Sequence, residues 1–130
     1  MDTTNKKVVT SFIETVWNEN QLEKMDQYLH PSFVDHSLPP VLPPNKDGLT
    51  NWIIGTNKAF ENQTVIEEMV SDGDKVMLKI KMLLKHIGKW RDIEPHGAEV
   101  FAIGYRYFKL ADEKIIEHWA LIDGNAIENQ

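Results

Sequence analysis

The residues of this chain able to do chemistry are five histidines, a scatter of carboxylates and one arginine set inside an apolar strand pattern. There is no cysteine, which leaves out a thiolate nucleophile, a zinc–thiolate site, an iron–sulfur cluster and a disulfide. No two of the histidines stand at close helical or strand ligand spacing with a carboxylate as third ligand, so no metal site is expected. What remains is proton transfer and hydrogen bonding by carboxylate, imidazole and guanidinium groups.

Each candidate has an ordinary reading beside the functional one. Arg106 lies between Gly104 and Phe108 on one parity of a strand, where an unpaired guanidinium is costly to bury. It either pairs with Asp123, the reading preferred here, or donates to a carbonyl ligand. Asp123 follows the apolar run Trp119-Ala120-Leu121-Ile122 and is either a carboxylate at a pocket wall or a solvated strand end. His86 shares the parity of Val76, Leu78, Ile80, Met82 and Leu84, so it is a satisfied core histidine or an inward site residue. Asp35 and His36 precede a proline-rich stretch; they line a pocket entrance, or Asp35 anchors that loop through backbone amides. Glu117 and His118 alternate, so one of the two faces out. Trp17, Trp52 and Trp119 read as core that can also contact a ligand, and Trp90, in a loop, reads as a lid.

The elements that must position these groups follow from periodicity. Val8, Val9, Phe12, Ile13, Val16 and Trp17 mark an amphipathic helix from about residue 4 to 18. Asn20 with Glu23 three residues on suggests a capping box opening a short second helix. Residues 33–36 form a brief strand, and residues 37–45, with four prolines, exclude regular structure. A third helix carries Leu49, Trp52, Ile53 and Phe60. From residue 63 the period becomes two: strands over 63–70, about 75–86, 98–110 and 114–123. Helices first and a meander after predict an α+β fold with helices on one sheet face. On the 98–110 strand neither parity is polar. Val100, Ala102, Gly104, Arg106 and Phe108 face the helices, and Phe101, Ile103, Tyr105 and Tyr107 call for a second cover, expected to be another copy of the chain.

Composition narrows the partners. The 130 residues fit one domain, and 42% hydrophobic with 26% charged residues is an ordinary globular balance. A net charge of −6 and a lysine row (Lys75, Lys79, Lys81, Lys85) that reads as a solvated sheet face argue against nucleic acid. No signal-peptide pattern or bilayer-length apolar run is seen, so a cytoplasmic protein is expected.

Several motifs together resemble the SnoaL-like polyketide cyclases (ester-cyclase-like proteins) of the nuclear-transport-factor-two-like fold. They are Asn5-Lys6-x-Val8-Val9 with Phe12 and Val16-Trp17-Asn18, then His30-Pro31-x-Phe33-Val34-Asp35-His36. Ala59-Phe60, Gly73-Asp74-x-Val76 and His86-Ile87-Gly88 follow, and the end carries Asp112-x-Lys114-Ile115-Ile116-Glu117-x-Trp119 with Asp123, Ile127 and Gln130. The resemblance implies a cone: a strongly curved antiparallel sheet closed by helices around a pocket, usually dimeric through the sheet. It implies an intramolecular aldol condensation without a cofactor, with Asp123 as acid/base; Arg106 and His86 are the residues read here as oxyanion or orienting donors beside it. The chain departs from the family pattern at Arg106, where the family carries a pocket histidine, and at Gly104, where it carries a glutamine. The Gly-x-Pro-Pro-Thr loop survives only as Asp92-Ile93-Glu94-Pro95-His96. A carrier or sensor of a small apolar ligand is therefore the rival expectation. Epoxide hydrolysis on this fold resembles an Asp-Arg-Asp relay, and Phe108 and Gly104 flank Arg106 where the relay would need a carboxylate.

Overall fold

The apolar spacing of the first seventeen residues produces two successive helical pitches. The structure, a computed structural model, describes residues 2–89, 93–95, 97 and 99–123. Helix α1 (Asp2–Phe12) passes into π-helical turns at Ile13–Asn18, where the Glu19 amide reaches back five residues to the Glu14 carbonyl at 2.9 Å. Val9, Phe12, Ile13, Val16 and Trp17 are buried together, as their period predicts. The π turns end on a clamp: the Asn18 side chain donates to the Thr64 carbonyl (2.9 Å) and accepts from the Thr64 amide (2.7 Å). Asn20 does not open a capping box. It is left-handed (φ 56), a conformation asparagine tolerates, and its amide oxygen accepts from Asn57 at 2.7 Å. The segment after it is a 3-10 helix, Leu22–Gln27.

Strand β1 (Leu29–Asp35) leads into the proline-rich loop and then helix α2 (Lys46–Ala59), capped by the Asn45 side chain, which accepts from the Gly48 amide at 3.2 Å. Gly48 is required there, because a Cβ would run into the Pro43 carbonyl of the loop. The meander follows as β2 (Phe60–Asp72), β3 (Lys75–His86), β4 (Glu99–Ala111) and β5 (Lys114–Ile122).

The sheet order is β1-β5-β4-β3-β2, with every pair antiparallel except β1–β5, which is parallel. Register shifts in β2 and in the β4–β5 pair bend the sheet around the helices, and it does not close. Along β3, Val76, Leu78, Ile80, Met82, Leu84 and His86 are all buried, as their parity predicts. Val76, Leu78, Ile80, Met82 and Leu84 belong to the apolar core, and His86 stacks on Phe60. On β4 the alternation is also as read: Ala102, Arg106 and Phe108 face in, whereas Phe101 and Tyr105 are about half exposed at 52% and 49%. Among the described residues no helix is long and apolar enough to cross a membrane.

Candidate functional site

Three buried polar groups from three strands meet on the inner face. Parallel pairing sets Asp35 of β1 beside His118 of β5. In the antiparallel β4–β5 ladder Phe108 opposes His118 and Arg106 opposes Ala120, so Arg106 and His118 are diagonal neighbours, a spacing long side chains span. His118 Nδ1 lies 2.9 Å from Asp35 Oδ2, and His118 Nε2 lies 3.3 Å from Arg106 Nη1. Asp35 Oδ1 accepts from the Ser37 amide (3.0 Å) and hydroxyl (2.7 Å). Exposures of 2% for Asp35 and 5% for Arg106 and His118 leave them almost no bulk water.

The tautomer of His118 follows from its neighbours. An ionised carboxylate only accepts and a guanidinium only donates, so Nδ1 carries the proton and Nε2 accepts from Arg106. Burial pushes the Asp35 carboxyl upward, but the hydrogen bonds from His118 and Ser37 outweigh it and hold it below its ordinary value. Burial, with the Arg106 charge beside it, keeps His118 below its ordinary value despite the pull of Asp35, so the imidazole is neutral at neutral pH. Burial also lowers Arg106, to about 10, against the opposing effect of Asp35; it stays a cation. The chain is thus cation, neutral imidazole, anion, with no net charge. Trp17 of the π turns floors it, with the Arg106 guanidinium 4.9 Å from the ring centre. Arg106 Nε is buried without a hydrogen-bond partner.

This chain borders a cavity of about 260 Å³ whose other walls include Leu38, Leu49, Trp52 and Ile122. Gly104 is part of that wall's construction: a Cβ at 104 would run into Ile122 Cδ1, so glycine lets Ile122 fold over the strand. A larger depression of about 420 Å³ has Asp26, His30, Lys46, Asp47 and Lys114 in its wall; Lys46 pairs with Asp26, Lys114 donates to the Asp26 carbonyl at 3.0 Å and His30 lies 3.7 Å from Asp112, and none of them is fully buried. Another, of about 480 Å³, is lined mainly by surface positions of β2, β3 and β4. The 260 Å³ cavity is therefore the candidate site.

The structure sorts the sequence candidates into separate places. Arg106, Asp35 and Trp52 come together at the cavity, and Trp17 lies beneath Arg106. The carboxylate acting on Arg106 is Asp35, in place of the expected pairing with Asp123. Asp123 is exposed at the end of β5, on the parity of Trp119 and Leu121, and its amide donates to the Ile103 carbonyl at 2.9 Å. His86 is wholly buried and stacked on Phe60 at 5.0 Å, eight residues along β3 from Leu78, which pairs with Arg106. Eight residues of strand is roughly 26 Å, so His86 and Arg106 do not address one atom. His36 and Trp119 stack on each other at 4.3 Å on the outer face, and His36 Nε2 lies 3.0 Å from Glu117. Trp90, the expected lid, lies outside the described residues, as do His96, Ile127 and Gln130.

His118 is the member the sequence did not single out. Its signal was its alternation with Glu117 two residues before Ala120, but choosing the inward one required the β5 register.

The model of the SnoaL-like polyketide cyclase family matches residues 7–130. No curated protein matches the sequence. Among solved structures, TsrD from Streptomyces laurentii superposes with a TM-score of 0.86 at 19% identity, over 98% of this chain and 94% of that one. IdmH from Streptomyces antibioticus gives 0.86 at 19% identity, over 96% of each chain. A SnoaL-like polyketide cyclase from Agrobacterium tumefaciens gives 0.80 at 13% identity, over 97% of this chain and 96% of that one. These likenesses establish the shared fold.

Proposed function

Because the chain belongs to the SnoaL-like polyketide cyclase family, we propose that it performs cyclase-like acid/base chemistry on a small carbonyl-bearing apolar substrate, with His118, Asp35 and Arg106 in the working roles. The observation that carries this reading is the buried Asp35–His118–Arg106 chain against the cavity. A base that takes a proton from carbon next to a carbonyl must be neutral or anionic at working pH and shielded from water. His118 meets both conditions, with Nε2 turned to Arg106. When the substrate carbonyl draws the Arg106 donor away from Nε2, the freed Nε2 takes the proton, Asp35 holds the imidazolium through Nδ1, and Arg106 donates to the new enolate oxygen. The enolate carbon then attacks a second carbonyl of the same molecule, and His118 returns its proton to the resulting alkoxide. Protons and charge balance without another reactant. Trp52, Leu38 and Ile122 supply the apolar walls that hold the substrate.

The partial reaction tests the assignment directly. Exchange of the α-protons of phenylacetone in D2O, followed by NMR, should be accelerated by the wild-type protein. His118→Gln should lose about 10²–10⁴-fold of that acceleration, and Asp123→Asn should stay within about tenfold of wild type. Loss with Asp123→Asn alone would return the acid/base role to Asp123. Saturable binding of the ketone with no exchange would favour a carrier.

A further inference from the structure

The longest link of the buried chain joins two residues that both line the cavity. Arg106 Nη1 and His118 Nε2 are 3.3 Å apart, beyond the usual range for a nitrogen donor, while the Asp35–His118 link is 2.9 Å. Both residues line the cavity, and Arg106 Nε lacks a partner although the side chain is nearly all buried. A buried guanidinium lining a cavity, held on that side only by a long bond to a neutral imidazole, favours an oxygen ligand bearing negative charge.

Charge sets a condition on such a ligand. The resting chain is neutral, so an added anion leaves one uncompensated negative charge out of water, which is expensive. One proton removes the imbalance. Asp35 sits too low to accept it and Arg106 already holds its own, which leaves His118. The charged or titratable groups around His118 are Asp35 and His36 from β1 and Arg106 from β4; the helical side contributes the uncharged Trp17, Leu49 and Trp52. Protonated His118 no longer accepts from Arg106. Its Nε2–H and the guanidinium then become two donors able to share one planar oxyanion.

We propose that small planar carboxylates bind between Arg106 and His118, each entering together with one proton that settles on His118. The bound state has the order cation, carboxylate, imidazolium, carboxylate, which is also the charge pattern of the enolate intermediate, so such ligands are intermediate analogues and compete with the substrate. This rests on the preceding reading of the site. A cavity of about 260 Å³ limits them to a single ring or a short chain, below the 300–1,000 Å³ range typical of drug-sized ligands.

Calorimetric titration of the wild-type protein with benzoate and with methyl benzoate decides the matter. At about pH 7, benzoate should bind at least about tenfold more tightly than the ester. Its heat should differ between two buffers of unlike ionisation enthalpy by the amount that a taken-up proton requires. Benzoate stays ionised from about pH 6 to about pH 8, so its affinity should fall as pH rises there, by up to about tenfold per unit. His118→Gln should abolish the proton uptake; if that variant does not fold, the wild-type buffer comparison still decides. Benzoate binding no tighter than its ester, or binding without proton uptake, overturns the inference. Ketone exchange that persists in that case leaves the acid/base reading standing. Carboxylate binding with proton uptake but no exchange sinks that reading and the analogy to an intermediate, and keeps the proton-linked carboxylate site.

Discussion

Asp35 and His36 are neighbours in the chain, as are Arg106 and Tyr107, and His118 and Trp119, yet each pair is divided between the two faces of the sheet. The inner members form the buried chain of Arg106, His118 and Asp35. The outer members form a ladder in which Tyr107 stacks on Trp119 at 5.1 Å and Trp119 on His36 at 4.3 Å, with His36 held 3.0 Å from Glu117. Both sets hold an imidazole beside a carboxylate at hydrogen-bond distance. They differ in water: the His36 and Glu117 side chains are about one third exposed, at 36% and 32%, so solvent screens their attraction. The lesson is that the same two kinds of group, imidazole and carboxylate, are shut away from water or screened by it according to the face of one pleated strand they occupy.

Removing the carboxylate on each side tests that contrast most severely. Asp35→Ala leaves the Arg106 cation buried without compensation and should cost about 3–5 kcal/mol of unfolding free energy in urea. Glu117→Ala should cost less than about 1 kcal/mol. Similar losses for the two variants would show that burial does not separate the faces.

Acid sharpens the comparison. The folded value of His118 lies below its ordinary 6.5, so the unfolded chain takes up that proton first. Its contribution to stability is complete above about pH 6.5 and is lost as pH falls toward the folded value. Asp35 is likewise lowered from 3.8, so its contribution is complete above that value and is lost as pH falls through the folded one. Urea midpoints measured across this range should decline in two stages, and His118→Gln should remove the upper one. A slope unchanged between wild type and His118→Gln contradicts the placement of His118 as a buried neutral imidazole.

The smallest effect on the single chain is expected from the outer face itself. We expect Phe101, Ile103 and Tyr105 to be covered by a second copy, since an aromatic patch half open to water is an association surface. Changing Ile103 and Tyr105 together to glutamate should shift light scattering from dimer to monomer, with the sheet otherwise intact by circular dichroism. A wild-type protein that is monomeric at micromolar concentration removes this expectation.

Much of this arrangement was legible in the residues. Strict alternation from Val76 to His86 determined which side chains of β3 face in, because a strand's period of two leaves no other choice once one face alone is apolar. On β4 both parities are apolar, and giving the aromatic one to a second cover left Val100 to Phe108 for the helices. Arg106 was therefore readable as an inward cation, and Asp35 as the anchor of the loop after it, which the Ser37 bonds fulfil. The order of helices and strands, and with it the α+β class, also lay in local periodicity. Three things did not. The parallel partnership of β1 with β5 joins residues 83 positions apart in sequence, and no local pattern specifies such a pairing. The register shift between Lys109 and Leu110 decides that His118, and not Glu117, points inward, and a shift of one residue reverses every side chain beyond it. The carboxylate that acts on Arg106 is consequently Asp35, brought by β1 from early in the chain, and not Asp123, the pairing that the sequence reading prefers. Sequence by itself determined the inward parity of the strictly alternating strand and the order of elements; the long-range strand pairings, whose hydrogen bonds are nonlocal and identical in kind for every register, decided whether His118 or Glu117 is buried and which buried residues meet.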